Sequence, residues 1–463
     1  MSSSNRPGAS RTRPSATSCS HRRRRSSSRT CRPCPSSSPR TTGCARSARR
    51  RTKSRATSSS TGPAMPADHE TREPLIGLKQ RNTGLILRHL LHNPGLSRSE
   101  VAKSVGLSAP TVTNLTGELI DHGFLRGLVS KSGSMGRPRV PLAVDPDRRA
   151  VLGIHLGPQV TGLTIMGLDG TEKVSELVPH GDLPGPEAIA KVVTAAERLT
   201  ADREPGELLG TGIATGGQVD VGEGVVLDHP SAGWRDLDAI SPFRAALSGP
   251  IVFDHNVRAA AQWELLYGVG RVTDDFLLLV VASDVGCISV RQGAIRHGAS
   301  RRAGIISHLT VPGSTVVCEC GRTGCFAAAA SDDALVRQAH TAGLTDISYL
   351  DLLVRLADTG DATASALLSE RNRAISCTAA ALFDLDDPGR LVIAGSPAEV
   401  ADHFEEIRTG VGRESVLGEA ASERVVVSNG HLMSLTHYAA SSMVAKVLED
   451  PLAHVSGDAR LGA

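Results

Sequence analysis

The chain has 463 residues, of which 51 are lysine or arginine, 48 are aspartate or glutamate, and only 3% are aromatic. This length favours two or three domains. The near-neutral total hides an uneven distribution, because residues 1–64 contain 16 basic residues, 18 serines, no acidic residue and none of Val, Ile, Leu, Phe, Trp and Tyr. A segment of that composition cannot build a hydrophobic core, and we predict that it is disordered in isolation.

Three interpretations of this basic head compete. A nucleic-acid-binding arm fits its charge, whereas an organellar presequence needs an apolar helical face that the segment lacks. We favour the third interpretation, a misassigned start, with Met65 as the first residue of the protein. No apolar segment follows the head as in a secretory signal, and the longest compact apolar run, 276–282, is too short to span a bilayer. We therefore expect a soluble, cytoplasmic protein without a membrane partner.

Residues 80–123 predict three short helices. Leucines at helical spacing indicate the first helix over 80–93. Ser97 and Glu100 form a capping box that starts the second. The third begins at Ser108, where the following proline is tolerated in the first turn. Two short helices joined by a glycine-containing turn are typical of a helix-turn-helix.

The third helix is the expected recognition helix, because small and amide side chains at its start suit base edges in the major groove. The residues that we expect there are Ser108, Ala109, Thr111, Thr113 and Asn114. Two strands, at 124–129 and 140–144, then enclose a basic loop that resembles a wing. Its cations Lys131, Arg137 and Arg139 are placed for backbone phosphates or the minor groove. We assign 75–145 to a winged helix-turn-helix that binds double-stranded DNA, the alternative being a three-helix domain without that role.

From residue 150 the pattern changes to alternating strands and helices, which predicts an α/β body of two lobes with a cleft between them over 150–450, followed by a short tail, 451–463. The predicted strands are 151–156, 160–166, 251–253, 276–281 and 391–395, and a glycine-rich strand and loop is predicted over 210–220. The predicted helices are 186–200, 257–267, 331–341, 347–357, 361–383 and 433–448.

A cluster of metal-binding residue types lies within this body. Cys318, Cys320 and Cys325 fall within eight residues, and His308 precedes them by ten. Three thiolates and one imidazole form a closed tetrahedral shell, which zinc prefers and which leaves no position for a reactive water. We therefore predict one structural zinc ion in the loop 308–325, against the alternative of three reduced surface thiols with a chance histidine.

At this point the chain resembles the ROK group (repressor, open reading frame, kinase), in which sugar-responsive repressors and sugar kinases share one fold. The resemblance covers about residues 80–448 and includes the spacing of the His-Cys cluster. Further matching stretches are Gly136-Arg137-Pro138, Gly233-Trp234-Arg235 and Gly298-Ala299. The resemblance implies an actin-like, hexokinase-like two-lobed ATPase fold, a homodimer or homotetramer, a DNA operator as partner and a sugar-like effector.

The chain departs from the kinases of this group at the catalytic base. They carry an aspartate in an Asn-Asp pair, and the matching positions here are His255 and Asn256. A carboxamide cannot accept the proton of a sugar hydroxyl, so a rate contribution of roughly 10²–10⁴ is lost. His255 could replace the base only if its ring swung to the substrate. We predict no catalytic residue here, and keep His255 and Asn256 as candidate ligand-binding residues.

The phosphate and sugar contacts implied by the resemblance are altered as well. The first phosphate loop begins at His155 instead of aspartate and contains Pro158, which removes a backbone N–H. Asp284 in the second loop would repel a triphosphate. Ile305 and Ala327 replace carboxylates that would accept bonds from sugar hydroxyls. Either the effector is not an ordinary hexose or none binds.

Three functions remain. The first is a sequence-specific transcriptional regulator, expected to be a repressor, with a degenerate kinase site. The second is a sugar kinase with an attached DNA-binding domain, and the residue at position 256 argues against it. The third is a body that serves only for oligomerisation, which ligand titration would distinguish from the first.

Overall fold

The computed structural model describes residues 75–129, 140–204, 206–299, 303–428, 430 and 435–455. The predicted basic head, the tip of the predicted wing and residues 456–463 lie outside these ranges. The same holds for Lys131, Arg137 and Arg139. Within the described ranges, no helix is both long and apolar enough to cross a membrane.

The N-terminal part folds as three helices and a two-stranded sheet. These elements are α1 (Leu75–His92), α2 (Arg98–Val105), α3 (Ala109–Asp121), β1 (Leu125–Gly127) and β2 (Leu142–Val144). The two strands pair antiparallel, with Leu125 opposite Val144. Helix α1 begins five residues before its predicted start. Leu78, which precedes that start, is 39% exposed and adds no buried position to the apolar pattern.

Local capping sets the limits of α2 and α3. Glu100 accepts a hydrogen bond from the backbone N–H of Ser97 at 2.8 Å, which confirms the predicted capping box. Gly106 ends α2 in the left-handed conformation, with φ of 71°. The hydroxyl of Ser108 then accepts from the N–H of Thr111 at the start of α3.

Two five-stranded sheets and one small sheet form the body. The first sheet has the order β10-β6-β3-β4-β5, the second β13-β12-β11-β14-β15, and the small one β7-β8-β9. The first contains β3 (Ala150–Leu156), β4 (Val160–Gly167), β5 (Glu172–Pro179), β6 (Leu208–Thr215) and β10 (Ile251–His255). The second contains β11 (Phe276–Val281), β12 (Val285–Arg291), β13 (Ala294–Ile295), β14 (Arg390–Gly395) and β15 (Val425–Val427). The small sheet contains β7 (Gln218–Asp220), β8 (Val225–His229) and β9 (Trp234–Asp238).

Helices cover these sheets. They are α4 (Gly185–Thr200), α5 (Ser241–Ala246), α6 (Asn256–Leu266), α7 (Phe326–Ala330), α8 (Asp332–Thr341), α9 (Leu350–Asp358), α10 (Ala362–Asp386), α11 (Ser396–Glu399), α12 (Ala401–Glu414), α13 (Glu419–Ser422) and α14 (Leu435–Glu449). Each five-stranded sheet thus forms a lobe with its own apolar core, and the small sheet shares the core of the first lobe. The predicted two-lobed α/β arrangement is confirmed.

The last long helix, α14, returns to the first sheet and packs closely on it. A Cβ on Gly153 would lie 2.3 Å from the carbonyl oxygen of Thr436, and one on Gly212 would lie 1.9 Å from that of Ala439. Only glycine leaves room for so close an approach of helix and strand backbones.

The helix-turn-helix and the first lobe share one continuous apolar core. Buried side chains of α1, including Leu87 and Leu90, belong to the same cluster as Tyr267 after α6 and as Met443 and Val447 of α14. The helix-turn-helix is therefore not joined to the body by a free linker, because its first helix is part of the body's packing.

We expect Gly84→Ala to separate these two parts. A Cβ on Gly84 would lie 2.0 Å from the carbonyl oxygen of Leu448, so α1 must move away from α14. Overpacking of this kind costs about 1–3 kcal/mol, measured as the free energy of unfolding. Gly77→Ala in the same helix is the control, since its Cβ would meet nothing within 4 Å. Equal stability of the two variants would contradict the tight contact.

Candidate functional site

The start of α3 presents the predicted DNA-binding side chains to solvent. Ser108, Ala109, Thr113 and Asn114 are exposed and Thr111 is half-buried, while Val112 and Leu115 of the same helix are buried. The hydroxyl of Thr113 donates to the carbonyl oxygen of Ala109. The Asn114 side chain makes no hydrogen bond to another described residue. The predicted DNA-binding side chains of α3 thus lie on one solvent-facing side of the helix. The three basic residues of the predicted wing lie outside the described ranges.

The metal-type residues come together from two separate segments. The four ligand atoms of His308, Cys318, Cys320 and Cys325 all lie within 4.8 Å of one another. The sulfur atoms of Cys320 and Cys325 are 3.7 Å apart, and His308 Nδ1 is 3.8 Å from the sulfur of Cys318. A tetrahedral zinc ion with Zn–S bonds of about 2.3 Å requires sulfur atoms separated by about 3.8 Å. The donor set therefore fits a four-coordinate ion.

Glycines permit the fold of this loop. Gly321 and Gly324 adopt φ of 83° and 78°, a region that side chains with a Cβ rarely occupy. The backbone N–H of Gly321 donates to the carbonyl oxygen of Cys318, which closes a tight turn between the thiols. A side-chain hydrogen bond from Arg322 lowers the pKa of Cys320 and so favours the thiolate that a metal requires.

A cleft of about 280 Å³ lies between the small sheet, the start of α6 and the second sheet. Its walls include Val219, Leu227, Val257 and Ile288, and its polar lining includes His255, Arg258, Asp284 and His308. His308 therefore borders both the cleft and the metal-type cluster.

His155 of β3 contacts Asn256 at the start of α6. These are the two positions at which the resemblance to the kinases implies carboxylates. Asn256 Nδ2 lies 3.2 Å from His155 Nε2 and, as an amide, can only donate to it. Burial lowers the pKa of His155 to about 4, so its ring is neutral near pH 7. Asn256 Oδ1 is buried and has no partner among the described residues. Asn256 and His155 thus form a neutral amide–imidazole pair between the start of α6 and the end of β3.

His255 caps α6 and faces the opposite lobe. Its Nδ1 accepts from the backbone N–H of Val257, and its Nε2 lies 3.9 Å from Asp284 Oδ2. Burial, followed by the nearby Arg258, lowers the pKa of His255 to about 4. The ring is therefore a neutral group between the start of α6 and the carboxylate of Asp284, which lies in the turn between β11 and β12.

Sequence reasoning missed two features of this cleft. Arg258 is buried and pairs with Asp254 at 2.5 Å, so its charge is compensated. The small sheet contributes Leu227 and Asp228 to the wall, and Asp228 pairs with Arg235 at 3.5 Å. The i,i+4 spacing of Asp254 and Arg258 could have indicated the first pair. No sequence signal placed the small sheet against the cleft.

A helix-turn-helix joined to a two-lobed, kinase-like body is the organisation of a DNA-binding regulator built on a kinase fold. The ROK family profile matches residues 151–438, and a Winged helix-turn-helix DNA-binding profile matches residues 80–126. The chain therefore belongs to the ROK family, and the predicted family and fold class are confirmed.

Curated relatives are regulators. The xylose repressor of Caldicellulosiruptor bescii is 26% identical over 369 residues, which cover 76% of this chain and 92% of that protein. The DNA-binding transcriptional dual regulator NagC of Escherichia coli is 22% identical over 340 residues, which cover 70% of this chain and 82% of that protein. This agrees with the predicted regulator and favours it over an enzyme.

Solved structures support the same fold. A ROK family transcriptional regulator, described as a homolog of the Escherichia coli MLC protein, superposes with a TM-score of 0.67 at 21% identity and covers 82% of this chain and 99% of that one. The ROK hexokinase of Thermus thermophilus gives a TM-score of 0.54 at 25% identity, and the match covers 66% of this chain and 98% of that one.

Proposed function

We propose that the protein represses transcription by binding an inverted-repeat operator as a homodimer or higher homo-oligomer, and that a small molecule in the cleft controls this binding. The observation that carries the proposal is the exposed, polar start of α3 on a helix-turn-helix that shares its core with the body. The functional regions would be 75–145 for DNA and 150–450 for sensing and assembly.

In this proposal Ser108, Ala109, Thr111, Thr113 and Asn114 approach base edges. A carboxamide such as Asn114 can make paired hydrogen bonds to adenine, and threonine methyl groups contact the thymine methyl. Helix α3 carries no basic side chain. The cations for the DNA backbone would therefore come from elsewhere, and Lys131, Arg137 and Arg139 are the proposed phosphate contacts.

The decisive experiment selects the preferred duplex from a random library and then measures affinity at several salt concentrations. We expect Asn114→Ala and Thr113→Ala to weaken specific binding by about 1–3 kcal/mol per lost base contact and to leave non-specific binding unchanged. Arg137→Gln should weaken binding to every sequence and reduce the salt slope by about one.

A matched control exists for the helix variants. Thr194 is exposed in α4 and donates to the carbonyl oxygen of Ala190, as Thr113 does to that of Ala109. Thr194→Ala should therefore change helix stability as Thr113→Ala does, but leave DNA affinity unaltered. If both threonine variants, or neither, altered sequence preference, α3 would not be the recognition helix.

We further propose that the cluster of His308, Cys318, Cys320 and Cys325 holds one structural zinc ion. The fit of the sulfur separations supports this assignment. When bound, the ion would join the segment after β13 to the start of α7 and fix His308 at the border of the cleft. A closed shell of four protein ligands leaves no site for an activated water.

We also propose that the protein has lost sugar kinase activity. The His155–Asn256 pair is neutral, so it offers neither a general base nor a carboxylate for a metal-bound nucleotide. Pro158 supplies no backbone N–H, and Asp284 places a carboxylate in the cleft. The body would then act through binding alone.

Helix α6 provides a direct route from the cleft to the DNA-binding region. It begins at Asn256 beside the cleft and ends at Leu266, which belongs to the same apolar core as Leu87 and Leu90 of α1. A ligand that moves the start of α6 would therefore act on a rigid element whose other end contacts the helix-turn-helix.

A further inference from the structure

The residues of the metal-type cluster differ in their exposure to solvent. Cys318 and Cys325 are buried, with relative exposures of 8% and 2%, whereas Cys320 and His308 are exposed. Every residue of the run 319–323 around Cys320 is exposed as well. A small molecule in solution therefore reaches the sulfur of Cys320 before it reaches the other two sulfurs of the cluster.

The turn that contains Cys320 is open. A Cβ on Gly321 would meet no atom within 4 Å, and Val317, which precedes the first thiol of the cluster, is 72% exposed. The neighbouring side chain of Glu319 reaches outward to Arg337 of α8, and both members of this ion pair are more than half exposed. A reagent therefore needs no opening of the fold to reach this turn.

A second sulfur lies next to that of Cys320. The sulfur atoms of Cys320 and Cys325 are 3.7 Å apart, and the two residues are separated by five positions. Because a disulfide bond is about 2.05 Å long, forming one requires the two sulfurs to approach by roughly 1.7 Å. Gly321 and Gly324 lie between them in the left-handed region and give the backbone freedom for this movement. Cys325 is therefore the thiol that can trap an oxidised Cys320.

The other two cysteines of the described ranges lack such an arrangement. Cys287 is buried, and Cys377 of α10 is half-buried. Burial raises the pKa of both thiols, which keeps them protonated near pH 7. Peroxides react with the thiolate and not with the thiol. These two cysteines should therefore stay reduced when the cluster is oxidised, and they serve as internal references.

We propose that the cluster is a site of reversible oxidation by peroxides, in which Cys320 reacts first and Cys325 completes a disulfide bond. The oxidised pair can no longer hold a metal ion, because a disulfide offers no thiolate. The inference rests on the zinc assignment of the proposed function. It adds a covalent modification that neither DNA binding nor a ligand of the cleft requires.

The reaction balances with one peroxide molecule. The thiolate of Cys320 attacks one oxygen of hydrogen peroxide, the O–O bond breaks, hydroxide leaves, and the sulfur becomes a sulfenic acid. The thiolate of Cys325 then attacks this sulfur, the S–O bond breaks, and a second hydroxide leaves. The two thiolates together lose two electrons, and the peroxide is reduced by the same two electrons. A dithiol reductant returns the disulfide to two thiols by thiol–disulfide exchange.

Oxidation would free one part of the loop and leave another in place. Only His308 and Cys318 remain as ligands, and structural zinc sites are four-coordinate, so the ion dissociates. The backbone N–H of Phe326 donates to the carbonyl oxygen of Leu309 at 2.8 Å, and this bond still holds the segment of His308 against α7. The loosened part is therefore 310–324, next to a histidine that borders the cleft.

The test follows zinc and the state of each thiol in the full chain. Zinc-loaded protein is mixed with excess hydrogen peroxide and a chromogenic zinc chelator, and the products are digested and analysed by mass spectrometry. A sample without peroxide measures the zinc that the chelator removes by itself. We expect the loss of a full equivalent of zinc together with a Cys320–Cys325 disulfide, while Cys287 and Cys377 stay reduced. Dithiothreitol with added zinc should restore both thiols and the zinc content.

Two variants separate this reaction from a general loss of structure. Cys320→His removes the exposed thiol but keeps a zinc ligand at this position, since two cysteines and two histidines also form a structural shell. It should bind zinc and retain it in peroxide. Cys377→Ser removes a thiol outside the cluster and should lose zinc to peroxide as the unmodified protein does.

Several outcomes would overturn the proposal. Protein that binds no zinc would contradict the zinc assignment itself, whereas zinc-loaded protein that peroxide leaves unchanged would contradict only the oxidation. A disulfide to Cys318, or faster oxidation of Cys377 than of Cys320, would show that exposure and the 3.7 Å contact do not select the pair. Equal zinc release by Cys320→His and the unmodified protein would have the same meaning. The measurements contain no DNA, so the outcome of operator binding does not alter them.

Discussion

The purified protein is expected to transfer no phosphoryl group from ATP to glucose, xylose, N-acetylglucosamine or N-acetylmannosamine in the presence of magnesium. Three independent losses underlie this result. Asn256 cannot act as the base, which alone removes roughly 10²–10⁴ in rate. The resemblance to the kinases implies that Pro158 and Asp284 impair the phosphate loops, and that Ile305 and Ala327 stand where carboxylates would contact the sugar.

Restoring the base should not restore turnover. In Asn256→Asp the new carboxylate would lie beside the His155 ring, while the phosphate and sugar contacts stay lost. Substrate positioning and charge stabilisation contribute separately to the activation barrier. Restoring the base at position 256 therefore leaves the losses at the phosphate and sugar contacts uncorrected. The His155→Asp, Asn256→Asp double variant should be inactive for the same reason.

The assay needs a positive control and a folding control. The ROK hexokinase of Thermus thermophilus, tested in parallel with a coupled assay, shows that the conditions support turnover. Unchanged DNA affinity shows that each variant is folded. Sugar-dependent ADP release by the unmodified protein, above that of a heat-treated sample, would contradict the regulator and support the kinase alternative.

Local signals in the sequence predicted the helix-turn-helix well. Capping by Ser97, Glu100 and Ser108 depends on residues three positions apart, and the contacts form as the spacing indicates. The strand Phe276–Val281 and the helix Ala362–Asp386 were predicted within three residues at each end, because long apolar or strongly helical runs leave few alternatives.

Other elements lacked such signals. The exposed strand β5 and the short strands of the small sheet alternate weakly, and helix α12 was not predicted because Gly410 and Gly412 interrupt its last turns. Packing of α14 on the first sheet joins residues more than 200 positions apart through backbone contacts at Gly153 and Gly212. No pattern within a single segment indicates which helix a glycine will face.

The candidate sites likewise contain residues that could be predicted from local sequence signals and residues that could not. The four metal-type residues could be predicted, because three thiols lie within eight residues and the histidine is ten residues away. The His155–Asn256 pair could not, since the two residues are 101 positions apart and each was considered as a separate departure from the kinases. Their meeting follows from strand order, which places β6 between β3 and β10.

Loss of one cysteine of the metal cluster is expected to remove zinc and to loosen the surrounding loop. Elemental analysis of protein purified without chelator should give one zinc per chain, and Cys325→Ser and Cys320→Ser should lower this ratio strongly. Structural zinc sites in small peptides contribute about 10–16 kcal/mol of apparent binding free energy at pH 7. The larger fold here retains its two apolar cores, so the expected change is local rather than complete unfolding.

Limited proteolysis and DNA affinity locate that local change. Cleavage should appear within 309–324 in Cys325→Ser, because the ion no longer joins this loop to His308 and to the start of α7. Cys377→Ser is the control, since Cys377 lies in α10 outside the cluster and should keep both zinc and protease resistance. Because His308 also borders the cleft, Cys325→Ser should weaken the response to a cleft ligand more than it weakens DNA binding itself. If Cys325→Ser retained a full equivalent of zinc, the four residues would not form the coordination shell.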